Sequence, residues 1–89
     1  MQKMSPKVKE VKTMGKYKLL ITFDNSEQKI FNLEPYLEYD VFNPLKNKVE
    51  FEKVYIDFGT VCFECGADLS RDTLYLKGIP VLNNNIEMI

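Results

Sequence analysis

The stretch YKLLITFDNSEQKIFN, residues 17–32, decides the fold because it alternates, breaks at a polar tetrad and then resumes a strand pattern. Large apolar side chains fall on every second residue and therefore share one face of a strand: Tyr17, Leu19, Ile21 and Phe23. Asp24 to Glu27 are polar, and the Asx residues among them tolerate turn conformations. A second strand over residues 28–32 completes a predicted β-hairpin.

A weaker alternation before this hairpin predicts a further antiparallel strand. Val8, Glu10 and Lys12 share one face in the pattern. Val11 falls on the opposite face, and the pattern ends at Met14. The N-terminal part of the chain is therefore expected to be a three-stranded meander.

The segment after the hairpin changes from strand signals to helix signals. Asn32 is a good N-cap and Pro35 falls in the first turn, so residues 33–39 are predicted to form a short helix. Asn47 is expected to cap another brief turn that ends near Phe51. Both pieces are too short to be stable helices alone, so packing onto the sheet must hold them.

Strand alternation resumes after these turns and predicts a second hairpin. Val54, Ile56 and Phe58 fall on one side of the first strand. Gly59 supplies a tight connection, and residues 60–63 form the returning strand. Most of the aromatic residues suit burial in this arrangement, and the following are expected in the core: Tyr17, Phe23, Phe51, Phe58 and Phe63.

The predicted fold class is α+β. Residues 68–72 are expected to form a capped helical turn, with Asp68 or Ser70 as the N-cap. The architecture is then a mostly antiparallel sheet of about five strands, built from the N-terminal meander and the second hairpin, with two or three short helices. We expect one domain over residues 1–82 and a flexible tail over residues 83–89.

Length and composition are those of an ordinary globular domain, with 89 residues of which 45% are hydrophobic and 28% charged. Lys3, Lys7 and Lys9 interrupt the apolar runs near the start, so neither a signal peptide nor a membrane span is expected. We therefore expect a cytoplasmic protein without membrane association.

The net charge of −1 conceals an asymmetry, because residues 1–18 carry +5 and residues 19–89 sum to −6. Specific nucleic-acid readers rely on arginine, and Arg71 is the only arginine in the chain. Nucleic-acid binding by this chain alone is therefore not expected. An alternative hypothesis is a small regulatory domain linked to nucleic-acid binding through a basic N-terminal strip: Lys3, Lys7, Lys9, Lys12, Lys16 and Lys18.

The motif VCFECG, residues 61–66, contains both cysteines of the chain at the spacing of half a zinc ribbon. Tetrahedral zinc needs four ligands, and without a histidine or a further cysteine no metal site is expected. A dithiol would need Cys62 at a helix N-terminus, but Cys62 falls inside a predicted strand. Dithiol redox chemistry through Cys62 and Cys65 is the lesser alternative, and the preferred interpretation is a small buried Cys62 and a loop Cys65.

The other polar residues do not suggest a catalytic site. Without histidine, a serine or cysteine nucleophile would lack its usual general base, so we expect neither enzymatic activity nor a cofactor. Residues that are less clearly buried are instead candidates for a protein contact: Tyr36, Tyr39, Tyr55, Asp68, Arg71, Asp72 and Tyr75.

Two consecutive motifs carry a resemblance to a known family. They are V-x-I-D-x-G-T-V at residues 54–61 and A-D-L-S-x-D-x-L-Y at residues 67–75. With the D-N-S-E tetrad, L-x-x-Y-L from Leu33 and F-x-x-L from Phe42, the chain resembles the small bacterial proteins of domain-of-unknown-function family 2442 over residues 6–77. The chain has Cys65 where that family commonly has a small polar residue before glycine, so this cysteine looks like a substitution rather than a ligand.

The resemblance implies a compact α+β domain without an established enzymatic activity. Such proteins often appear encoded beside another small uncharacterised protein, in an arrangement like a toxin–antitoxin pair. Some relatives carry a C-terminal helix-turn-helix that this chain is too short to contain, so DNA contact is expected only through another protein. The preferred hypothesis is a non-enzymatic protein-interaction module, an antitoxin-like component of a two-protein bacterial system. Its expected partner is a protein encoded by a neighbouring gene, with a homodimer as an alternative.

Overall fold

The computed structural model of the protein describes residues 5–81. These residues form seven strands: β1 (Val8–Met14), β2 (Lys18–Phe23), β3 (Gln28–Asn32), β4 (Val54–Asp57), β5 (Thr60–Phe63), β6 (Asp68–Leu69) and β7 (Ile79–Pro80). They also form two short α-helices, α1 (Lys48–Phe51) and α2 (Arg71–Lys77), and two 3₁₀ turns, Glu34–Tyr36 and Asn43–Lys46. The predicted tail at residues 83–89 lies outside the described residues.

The first sheet has the strand order β1-β2-β3-β7, and each strand is antiparallel to its neighbours. Its central hairpin is the predicted one, with Leu19 of β2 opposite Phe31 of β3. Asn25 shapes the turn, because its side-chain oxygen accepts a hydrogen bond from the backbone N–H of Glu27 at 3.0 Å. The predicted meander of β1, β2 and β3 is therefore confirmed.

A bulge in β1 alters the predicted facing of its side chains. The register between β1 and β2 shifts between Val8 and Glu10, so one residue of β1 is extra. The extra residue moves the alternation by one position, and both Val8 and Val11 pack on the core side. The prediction that Val8 and Val11 face opposite sides is wrong for this reason.

The segment after β3 is less helical than the sequence predicts. The helix expected over residues 33–39 is a 3₁₀ turn over Glu34–Tyr36. Asn32 still contacts the start of this turn, because the Asn32 side-chain oxygen accepts a hydrogen bond from the Glu34 N–H at 3.1 Å. Leu33 and Leu37 are both buried, so packing rather than helix length holds this segment.

Side-chain caps set the first residue of each α-helix. Asn47 caps α1 as predicted, because its side-chain oxygen accepts a hydrogen bond from the Val49 N–H at 2.8 Å. Ser70 caps α2 in the same way and accepts from the Thr73 N–H at 3.1 Å. Asp68, the other predicted cap, lies instead in β6, and α2 continues to Lys77.

The second sheet has the strand order β4-β5-β6. The predicted hairpin forms its β4–β5 pair, and β6 pairs with β5 through Cys62 and Asp68. The two-residue strand β7 pairs with β3, where Ile79 lies opposite Ile30. The α+β class is confirmed, while the predicted sheet of about five strands is corrected to seven strands in two sheets over residues 5–81.

Residues of both sheets, the turns and α2 share one apolar core: Val8, Leu19, Ile21, Phe23, Phe31, Leu33, Leu37, Leu45, Phe51, Val61, Phe63, Ala67, Leu69 and Leu74. Tyr17 packs at its margin, with its ring edge-on to Phe51 at 5.3 Å. The expectation that Phe58 joins the core is wrong, because Phe58 follows the end of β4 and is 92% exposed. No helix within residues 5–81 has the length and apolar character needed to cross a membrane.

Candidate interaction surface

The turn between β4 and β5 holds two consecutive residues in the left-handed backbone region. Phe58 has a φ of 53° and Gly59 a φ of 73°. Asp57 pairs with Thr60, so these two residues are the whole connection, which is the geometry of a type I′ turn. Such turns favour Asn, Asp or Gly at the first position, and another residue there is strained by about 1–3 kcal/mol. Phe58 occupies that position.

Strand β1 fixes this turn in place. The Val8 N–H donates a hydrogen bond to the carbonyl oxygen of Gly59 at 3.0 Å. Lys7 packs so closely that a Cβ on Gly59 would lie 2.8 Å from the Lys7 Cβ. Glycine is therefore required at position 59 both by its φ and by this contact. The hairpin presents Phe58 from a rigid base.

Phe58 is the most exposed of the large hydrophobic side chains within residues 5–81, at 92%. A side chain in that position adds almost nothing to the core, and its backbone conformation opposes folding. Neither burial nor turn preference explains a phenylalanine here. Local rules are typically broken in this way at sites used for function.

The second sheet directs a set of side chains away from the core. On β4, Tyr55 and Asp57 point outward and are exposed. Cys62 of β5 lies opposite Tyr55, and Asp68 of β6 lies opposite Cys62. We call these four residues, together with Phe58 at the end of the hairpin, the outer face: Tyr55, Asp57, Phe58, Cys62 and Asp68. It combines two exposed aromatic side chains with two carboxylates.

The chemistry of Cys62 follows from its place on the outer face. Burial raises the pKa of the Cys62 thiol, and the carboxylates of Asp57 and Asp68 raise it further. The thiolate is therefore disfavoured at neutral pH, which is the opposite of what a reactive dithiol needs. Both thiols are free, with Cys62 half-buried on β5 and Cys65 exposed in the next turn. Residues 5–81 contain no group of three or more side chains suited to hold a metal ion.

Tyr36 and Tyr39 lie in a different place, after β3. The Tyr36 ring stacks on Phe31 with 5.4 Å between centroids, and Phe42 contacts it edge-on at 6.3 Å. Tyr39 meets Tyr36 at 6.1 Å and is 60% exposed. Tyr36 is therefore a packing residue, and Tyr39 is the exposed end of a small aromatic cluster.

Three of the predicted contact residues lie on α2: Arg71, Asp72 and Tyr75. The Tyr75 ring packs edge-on against Phe23 at 5.2 Å, and the Lys29 ammonium lies 3.7 Å from its centroid. A hydrogen bond with Glu27 raises the pKa of Tyr75 and lowers the pKa of Glu27. Tyr75 thus ties α2 to the β2–β3 hairpin.

The predicted contact residues therefore do not form one site. Tyr55 and Asp68 come together on the outer face, whereas the others lie in the aromatic cluster after β3 or on α2. Sequence reasoning missed Phe58 and Asp57. The sequence feature that could have identified them is D-F-G-T at residues 57–60. If Asp57 pairs with Thr60, Phe58 and Gly59 form a two-residue turn and Phe58 is no longer part of the strand.

Two lysines of the basic strip lie on β1, at one edge of the first sheet. Within the described residues, β1 is hydrogen-bonded in the sheet to β2 alone, and Lys9 and Lys12 are exposed on it. Lysines on an edge strand hinder its pairing with another chain, which gives them a role that needs no nucleic acid. Lys3 lies outside the described residues.

Comparison with known proteins gives a family and nothing more detailed. No curated protein and no solved structure matches the chain at a significant level. A family of proteins does match, over residues 8–80, which include both sheets and α2. This match agrees with the motifs at residues 54–61 and 67–75. The chain therefore belongs to the family described as Protein of unknown function (DUF2442).

Proposed function

We propose that the chain is a non-enzymatic protein-interaction module that binds a protein partner through the outer face, with Phe58 as the anchor. In this proposal the partner is encoded by a neighbouring gene, and the chain is the antitoxin-like component of a two-protein bacterial system in the cytoplasm. The exposure of Phe58 at the end of a rigid hairpin is the observation that carries the proposal.

The energetics of association favour Phe58 as the anchor. Burying a phenylalanine side chain fully is worth about 1.5–3 kcal/mol, and at 92% exposure nearly all of that is available to a partner. Aromatic anchors that enter a pocket commonly dominate the affinity of an interface. Because Gly59 is hydrogen-bonded to β1, little further ordering of the hairpin is needed on binding. Tyr55, at 47% exposure, would extend the apolar contact.

The charged groups around the anchor are two carboxylates and one lysine, since Lys7 packs against Gly59. Asp57 precedes Phe58, and Asp68 lies two strands away on the same face. Residues 19–89 as a whole carry a net charge of −6. A partner with an apolar pocket and a basic rim would match this surface, and complementary charge would speed association and exclude acidic competitors.

The non-enzymatic part of the proposal is supported by the side chains that are present. The chain has no histidine, and the raised pKa of Cys62 disfavours its nucleophilic form. The outer face therefore offers contact and charge complementarity rather than a reactive group.

A titration of the purified chain with the product of its neighbouring gene tests the proposal. Phe58→Asn should weaken binding about 30-fold, since loss of an anchor costs about 2 kcal/mol or more. The matched control is Leu76→Asn, which removes a side chain that is 75% exposed on α2, away from the outer face. The control should leave the dissociation constant unchanged.

Two results would overturn the proposal. One is no binding between the two proteins by calorimetry at micromolar concentration. The other is equal weakening by Phe58→Asn and Leu76→Asn. Sedimentation of the chain alone decides between a separate partner and a second copy, because a homodimer through the outer face would dissociate in the Phe58→Asn variant.

A further inference from the structure

A half-open cavity of about 450 Å³ lies between the turn that joins β1 to β2 and helix α1. Met14 and the half-buried Tyr17 contribute most of the apolar wall, whereas Lys16, Lys48 and Glu52 contribute charge. Cavities of about 300–1,000 Å³ are the size that small-molecule ligands occupy. None of these residues belongs to the outer face, so the cavity is a separate feature of the molecule.

The wall of the cavity includes a strained turn. Lys16 has a φ of 60° and Tyr17 a φ of 62°, and neither residue is glycine. Residues in this region persist only where the surrounding structure holds them, and they cluster at ligand sites. The turn therefore has an energetic cost that the neighbouring contacts must offset.

Tyr17 provides those contacts. Its hydroxyl donates a hydrogen bond to the carbonyl oxygen of Lys46, and its own carbonyl accepts one from the Leu33 N–H at 2.9 Å. Its ring also packs edge-on against Phe51 at 5.3 Å. With Tyr17 fixed at three points, the preceding residue, Lys16, is held at the rim of the cavity.

The electrostatics of the cavity favour an anion. Lys16 and Lys48 come from different elements and meet at this cavity, where Glu52 is the opposing carboxylate. The described lining thus has an excess of positive charge, although residues 19–89 are acidic overall. A ligand with one anionic group and an apolar body would place its charge near the lysines and its apolar part against the apolar wall.

We infer that this cavity binds a small amphipathic monoanion, an aromatic or aliphatic carboxylate, whose charged group lies between Lys16 and Lys48. The apolar body of the ligand contacts Met14, which is 39% exposed, and the half-buried Tyr17. This inference does not rest on the proposed protein partner, since it concerns other residues.

The test uses 8-anilinonaphthalene-1-sulfonate, a fluorescent probe with an apolar body and one negative charge. Its fluorescence should rise saturably with one site per chain, and octanoate should displace it whereas octanol should not. Lys16→Gln and Lys48→Gln should each weaken probe binding about two- to fivefold, as expected for a partly exposed charge pair. Glu52→Gln should strengthen it by a similar factor.

The controls separate this site from other surfaces. Lys77→Gln removes an exposed lysine in the last turn of α2, and Phe58→Asn removes the exposed anchor of the outer face. Neither should change the affinity for the probe. Non-saturable fluorescence, equal displacement by octanol, or equal weakening by Lys77→Gln and Lys16→Gln would overturn the inference.

Discussion

Replacing Phe58 by asparagine should make the protein more stable while removing its proposed anchor. Full burial of phenylalanine is worth about 1.5–3 kcal/mol, so at 92% exposure the lost burial costs only about 0.2 kcal/mol. Asparagine tolerates the left-handed conformation at φ 53°, which should relieve about 1 kcal/mol of strain. The gain exceeds the loss, and the midpoint of thermal unfolding should rise by about 3–6 °C.

The assay is reversible thermal and urea unfolding followed by circular dichroism, with Phe58→Ala as the matched control. Alanine removes the aromatic ring but does not favour the left-handed region, so the control should not be stabilised. A Phe58→Asn variant that unfolds earlier than the parent would refute the reasoning. Equal stabilisation by alanine would also refute it, because strain relief would then not be the cause.

The remaining predictions concern the turns, the cap of α2 and the dependence of stability on pH. Gly59→Ala should destabilise the protein by about 1–3 kcal/mol, because the φ of residue 59 is 73° and the added Cβ would collide with Lys7. Gly15→Ala should be neutral or stabilising, because nothing lies within 4 Å of the added Cβ. Urea unfolding of the two variants compares these effects. Ser70→Ala should cost about 1 kcal/mol in the same assay by removing the N-cap of α2, and Ser70→Asn should restore most of that stability. The Glu27 pKa is lowered from its ordinary value of 4.5 in the folded state, so its contribution is present above that pH and is lost on acidification. The Tyr75 pKa is raised from 10.0, so its contribution is present below that pH and is lost on alkalinisation. Tyr75→Phe should therefore reduce the fall in the thermal unfolding midpoint at both acid and alkaline pH. If the variant and the parent show the same dependence of the midpoint on pH, the Glu27–Tyr75 hydrogen bond is not the cause of that dependence.

The long strands could be predicted from sequence because periodicity accumulates over five to seven residues. β2 carries a clear alternation, and the polar turn after it indicates the returning strand β3; both strands lie close to where the sequence places them. β6 and β7 have two residues each, which is too short for any period to be recognised. Their existence depends on tertiary pairing with β5 and β3, so the division into two sheets could not be predicted.

Two predictions of which way a side chain points are wrong for local physical reasons. The bulge near Val8 shifts the alternation of β1, and nothing in a stretch of mixed lysine and valine residues indicates where an extra residue lies. Phe58 continues the alternation of Val54 and Ile56, so its pattern indicates burial. The short turn with Gly59 removes it from the strand instead.

The candidate surface was predictable only in part. Tyr55 and Asp68 were identified as contact residues, and strand pairing through Cys62 places both on the outer face. Tyr75 was also identified, yet its contacts with Phe23 and Lys29 depend on how α2 docks. Docking of this kind brings together residues that are distant in sequence, and a single sequence carries little information about it.

The central claim is that the outer face receives a protein partner, and NMR of the isotopically labelled chain tests it most directly. On titration with the product of the neighbouring gene, the largest changes in amide chemical shift should fall on the outer face, at Tyr55, Asp57, Phe58, Cys62 and Asp68. Large changes confined to α2 or to the cavity beside Lys16, with the outer face unchanged, would contradict the account.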